Sequence, residues 1–115
     1  MIQETDGRLS QFRKGVVELA ILALLRRGEV YGGEIVERLS AYPGLAISTG
    51  TVYPLLSRLK KAGLIGSSWR ESPVGPPRKY YRLTAAGRAD LEAMSRAWDG
   101  VTDAMDALLE KRKTK

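Results

Sequence analysis

The stretch from Ser48 to Ile65 constrains the chain most. Val52, Leu55, Leu56, Leu59 and Ala62 recur at the spacing of one face of an amphipathic helix, so that face is expected to be buried. The other face carries Thr49, Thr51, Tyr53, Ser57, Arg58, Lys60 and Lys61, and no acidic residue lies between Glu37 and Glu71 to neutralise it. The rest of the fold must therefore supply a core beneath this helix and leave its basic side open to a polyanion. Pro54 lacks an N–H and is best tolerated in a first turn, which makes Gly50 or Thr51 the expected N-cap. Gly63 stands where a left-handed C-cap would sit, and the helix is expected to stop near Ala62.

The charge distribution sharpens this reading. The net charge is +6; residues 1–44 hold six Lys/Arg and six Asp/Glu, residues 85–115 again six and six, and residues 45–84 seven and one. All of the excess therefore sits in the middle third, beside the amphipathic helix. Charge concentrated in this way points to nucleic acid or to an acidic surface. The chain has no cysteine and no histidine, which excludes disulfides, thiol nucleophiles, imidazole bases and His/Cys metal sites. No cofactor is expected, and no nucleophile sits in a recognised catalytic constellation, so an enzyme is not expected. No run approaches the roughly 18 apolar residues of a membrane helix. The start of the chain has no charged-then-apolar signal pattern, and the expected location is the cytoplasm.

With 115 residues the chain reads as one domain with an appendage. Residues 1–8 are polar and are expected to form a loose arm. From Ser10 the chain turns helical, and the apolar residues from Val16 to Leu25 are too continuous for a surface helix, so they mark the central core element. Arg26 and Arg27 suit the negative end of its dipole, and Gly28 ends it. Ile35, Val36 and Leu39 then mark a short second helix, broken at Pro43-Gly44. Three helices with short connections, the third basic, make a helix-turn-helix. Past Ile65 the period changes to strand (65–72), turn (Pro73 to Pro77) and strand (78–83). This hairpin is expected to lean on the helices through Trp69, a tyrosine and Leu83, with Arg78 and Lys79 at an exposed basic tip. Thr84 is a good N-cap for a last helix. Along that helix Leu91, Met94, Trp98, Val101, Met105 and Leu108 fall on a heptad seam longer than the remaining fold can cover, which calls for a second copy of the chain. Lys111, Arg112, Lys113 and Lys115 read as a solvated basic tail.

These features together resemble the PadR family of transcriptional regulators, in its short form with a single C-terminal helix. The resemblance runs from about Leu9 to Gly87. It is carried by Gly15 to Leu25, by Tyr31-Gly32 with Glu34-Ile35, and by Gly50-Thr51-Val52-Tyr53-Pro54-Leu55-Leu56 with Arg58-Leu59. Gly63-Leu64-Ile65 and Arg78-Lys79-Tyr80-Tyr81-Arg82-Leu83-Thr84 with Gly87 complete it. Gly33 departs from the family, where an aromatic residue often stands, and the wing turn is richer in proline than usual. The resemblance implies a mainly α fold with a small β-hairpin: a winged helix-turn-helix over residues 1–84 and a long C-terminal dimerisation helix with basic tail over 85–115. It implies a homodimeric repressor on a pseudo-palindromic operator. Thr49, Thr51, Tyr53, Ser57 and Arg58 would then face the major groove, with phosphate contact the favoured role for Tyr53. Lys60 and Lys61 would meet phosphates, and Arg78 and Lys79 would serve the wing. Short members admit flat aromatic compounds between subunits, which makes Met94, Trp98, Val101 and Met105 a candidate effector pocket, with plain dimer core the competing reading because a heptad seam already explains their spacing. The competing reading is a winged helix that docks an acidic protein partner without any specific DNA site. Steep loss of affinity with salt, combined with strong preference for one DNA sequence, separates the two.

Overall fold

The computed structural model describes residues 2–45 and 47–111, with side chains from Gly7 onward. Helix α1 (Ile2–Leu24) runs into a short 3-10 turn, Leu25–Arg27, which Gly28 ends. The segment expected as a loose arm is thus the first part of α1, and the helix starts at Ile2, not Ser10. A lone interior glycine such as Gly7 costs a helix only about 1 kcal/mol, and no proline interrupts the run. Met1 and the tail residues 112–115, Arg112, Lys113 and Lys115 among them, lie outside the described residues. Val17, Ile21, Leu22 and Leu25 are buried at the centre of the core, as the apolar run predicts.

A strand of two residues follows, β1 (Val30–Tyr31), then α2 (Gly32–Ser40) and α3 (Thr49–Lys61). Strands β2 (Ile65–Arg70) and β3 (Arg78–Leu83) pair with Ile65 opposite Leu83 and Trp69 opposite Lys79. Beyond β2, Ser72 organises the turn, its hydroxyl donating to the Val74 carbonyl at 2.9 Å. The sheet has three antiparallel strands in the order β1-β3-β2, one more than the expected hairpin. That third strand explains how a marginal hairpin is steadied: Val30 pairs with Tyr81 and Tyr31 with Tyr80. Tyr81 is the tyrosine that reaches the core, whereas Trp69, expected to help, is 66% exposed. It lies near the hairpin tip, where its neighbour on the sheet is the Lys79 ammonium, 5.7 Å from its ring centre.

The start of α3 also departs from expectation. Ser48, in extended conformation, is the N-cap, and its carbonyl accepts from the Thr51 and Val52 N–H groups. Pro54 therefore falls in the second turn and removes the bond that the Gly50 carbonyl would have accepted; Gly50 is exposed, where water can serve. The other end follows the expected pattern. Gly63 takes a left-handed φ of 80°. Its N–H donates to the Lys60 carbonyl, and that of Leu64 to the Leu59 carbonyl, both at 3.0 Å.

Helix α4 (Ala85–Leu108) starts directly against that cap. Thr84 accepts from the Gly87 N–H at 3.0 Å through its hydroxyl, donates the same hydroxyl to the Gly63 carbonyl at 2.7 Å, and donates its own N–H to the Leu64 carbonyl at 3.1 Å. The contact is so close that a Cβ on Gly87 would lie 1.9 Å from the Leu64 carbonyl oxygen. Helices α3 and α4 are thus joined end to start by hydrogen bonds and bare backbone. Leu91 is buried in its own chain's core, which takes it off the outward seam where the heptad spacing put it. The heptad pattern cannot tell a turn that packs at home from turns that project past the domain.

Candidate nucleic-acid interface

Burial of Val52, Leu55, Leu56 and Leu59 fixes the roll of α3 and turns Thr49, Tyr53, Ser57, Arg58, Lys60 and Lys61 outward. Tyr53 and Ser57 meet the wing across a cleft of about 470 Å³, whose far wall is Trp69, Arg78, Lys79 and Tyr81 and whose floor is Tyr31, Gly32 and Gly33. Four of the sequence-expected residues, Tyr53, Ser57, Arg78 and Lys79, therefore share one site. Thr49, Lys60 and Lys61 are exposed outside it, and Thr51 is half-buried in a separate cleft beside α1.

The cleft has the chemistry of an anion seat. The Tyr53 ring lies against the amino end of α2, where a Cβ on Gly32 would come 2.7 Å from the hydroxyl oxygen. Tyr31, the N-cap of that helix, makes no side-chain cap bond, and Glu34 places a carboxylate in its first turn. Arg78 stacks 4.3 Å above the Tyr31 ring, while Lys79 sits between Trp69 and Tyr81. Arg70 stacks on Tyr80 and pairs with Glu29, so its charge is largely spent within the protein. Burial, then the neighbouring Tyr53, raises the Tyr81 pKa above its ordinary value. Tyr31, Gly32, Trp69 and Tyr81 escaped the sequence-based choice of site residues. The signal that could have found Tyr31, Gly32 and Tyr81 is the pairing of Tyr31-Gly32 with the Arg-Lys-Tyr-Tyr strand; it does not reach Trp69, which lies on β2.

Arg58 is not in the cleft. Its guanidinium lies 2.9 Å from the Glu18 carboxylate on α1.

A second surface shares no residue with the cleft. Met94, Trp98 and Val101 of α4 face Phe12, Val16 and Leu19 of α1 across an apolar groove of about 280 Å³. Met105, expected with them, lies further along α4 and does not line the groove. It is exposed, as is Leu108 beyond it. Among the described residues no helix is long and apolar enough to cross a membrane.

The family model described as the transcriptional regulator PadR-like family matches residues 21–93, from the core of α1 into α4. The chain belongs to the PadR-like family of transcriptional regulators. It is 39% identical over 89 residues to the transcriptional regulator Rv3488 of Mycobacterium tuberculosis, covering 77% of this chain and 81% of that protein. Among solved structures, a PadR-like transcriptional regulator from Bacillus cereus is 37% identical with a TM-score of 0.77, covering 89% of this chain and 99% of its own. A PadR family regulator from Eggerthella lenta is 32% identical with a TM-score of 0.78, covering 96% of each chain. The winged-helix architecture is thus the PadR-like one, and DNA-binding regulation is the function this family implies. PadR-family regulators bind DNA and typically dimerise. They are generally not enzymes.

Proposed function

We propose that this PadR-like protein is a homodimeric repressor that occludes a pseudo-palindromic operator and is released by a small aromatic effector. The observation that carries the reading is the convergence of α3 and the wing, through Tyr53, Ser57, Arg78 and Lys79, on one basic, aromatic cleft. In this reading α3 enters the major groove with Thr49 and Ser57 toward the bases. Tyr53 donates to a phosphate, Lys60 and Lys61 hold the flanking backbone, and Arg78 and Lys79 follow it along the wing. Met94, Trp98, Val101, Met105 and Leu108 form the dimer seam with Phe12, and burial of that stripe in a second copy removes its exposure to water.

Fluorescence anisotropy against DNA from upstream of the protein's own gene and against scrambled DNA, across a salt series, tests the operator reading. Tight binding to the first, steep in salt, with far weaker binding to the second is the expected result. Equal weak binding to both would turn the basic surface toward an acidic protein partner. The effector reading is tested in a Trp69→Phe background, where Trp98 is the single tryptophan. Planar aromatic compounds should quench it and lower operator affinity together; no change in either rejects the pocket.

A further inference from the structure

We propose that Arg58 is a positioning residue and not a base reader: it is a strut from the outward side of α3 to Glu18 on α1, and it sets the angle at which the reading helix is presented. The inference rests on α3 being the DNA-facing helix. Arg58 Nη2 lies 2.9 Å from Glu18 Oε2, with the glutamate side chain 19% exposed and the arginine 70%. Glu18 Oε2 is closed to solvent, and no directed hydrogen bond reaches it among the described residues. The guanidinium approaches off the line of a good hydrogen bond, so its charge is what compensates the shielded oxygen. Removing the arginine leaves the shielded Glu18 carboxylate without its counter-charge, which is the costly way to break the pair, whereas the exposed guanidinium stays solvated without Glu18.

That cost decides between the two roles. To reach a guanine, Arg58 would have to leave Glu18, stranding a carboxylate beneath the reading helix and close to the phosphates. A cation that stays on Glu18 avoids both penalties, and Lys60 and Lys61 remain free for the backbone. The strut also has a direction: Val17 before Glu18 is in the core, and Leu19 after it lines the α1 and α4 groove. The strut thus ties α3 to the helix that carries the apolar surface.

The two roles predict opposite signs for one isosteric substitution. Duplexes are selected from a random pool by the full-length wild type, then bound by wild type, E18Q, R58Q, R58K and the double variant E18Q/R58Q, each checked for folding by circular dichroism. Positioning predicts that E18Q and R58Q each weaken binding roughly three- to tenfold, and that the double is no worse than the weaker single because the pair acts as a unit. R58K keeps the charge and retains most affinity. Base preferences and the salt slope stay those of wild type in all variants. If Arg58 reads a base, E18Q binds as well as wild type or better, and R58Q relaxes discrimination at one base pair; that pattern overturns the proposal. If wild type selects no duplex, the operator reading fails by itself. The strut is then decided by thermal unfolding: Tm losses that do not add in the double variant support it, and additive losses overturn it.

Discussion

The cleft between α3 and the wing and the groove between α1 and α4 are both open to solvent, yet they differ in completeness. The cleft is assembled from short elements, each pinned within the chain: α3 by its buried leucines, the wing by Tyr81 and the β1 strand, and the amino end of α2 by the Tyr53 ring on Gly32. Its exposed groups are charged, hydroxylic or aromatic, and water satisfies them until a ligand arrives. The groove is built from two long helices whose apolar groups continue past it, with Phe12 70% exposed and Met94, Trp98, Val101 and Met105 left uncovered. Water satisfies none of these. One surface is finished and awaits a ligand, whereas the other is unfinished within a single chain.

The largest effect should come from making the unfinished surface acceptable to water. Met94→Asp with Val101→Asp places carboxylates on the α4 stripe, and sedimentation is expected to show monomers. Loss of the second half-site contact should weaken operator binding by about a hundredfold or more, since linked binding of two modules supplies gains of that order. A double variant that stays dimeric would place the interface elsewhere and remove the contrast between the surfaces.

Gly87→Ala attacks the joint between them. The new methyl would overlap the Leu64 carbonyl oxygen, which is backbone and cannot swing aside, so α4 must shift relative to the end of α3. The expected cost is about 3 kcal/mol, at the upper end of ordinary overpacking, read by denaturant unfolding. An unchanged midpoint would mean that the two helices adjust freely, and that the joint transmits nothing.

What the sequence revealed follows the same division. Periodicity located α3, its stop at Gly63 and the Thr84 cap, because each is a local pattern of three to seven residues. Composition isolates the charge between residues 45 and 84, and of the residues expected there the cleft brings together Tyr53, Ser57, Arg78 and Lys79. Local pattern has no access to a strand of two residues such as Val30–Tyr31, whose identity comes only from pairing with β3. Nor could it show that Leu91 packs at home, or that Trp69 stays exposed instead of leaning on the helices. The ion pair of Glu18 with Arg58 joins residues far apart in sequence, so local pattern places Arg58 on the outward face of α3 without its partner.

On the finished side, Lys60→Ala is expected to act mildly. Lys60 is exposed on α3 outside the cleft, so its loss should leave the fold unaltered and weaken all DNA sequences alike. The salt slope should flatten by about one unit if it neutralises one phosphate. A change confined to one base pair would make Lys60 a reader and extend base recognition toward the carboxyl end of α3.

The smallest effect concerns how firmly the wing is held to the core. Tyr81 is 6% exposed, and burial raises its pKa above the ordinary value, with Tyr53 adding to the shift. Unfolding releases the phenol to water, so above the ordinary tyrosine pKa the unfolded chain binds fewer protons than the folded one. Stability from this group is therefore complete below about pH 10 and declines as pH rises from there through the raised folded value. Tyr81→Phe should remove that part of the alkaline decline in denaturant midpoint while leaving the decline due to lysines, which both proteins share. Identical alkaline profiles would mean that the phenol is as well solvated in the fold as out of it. The wing would then rest on the helices more loosely than the cleft's shape implies, and the finished surface would differ less from the unfinished one.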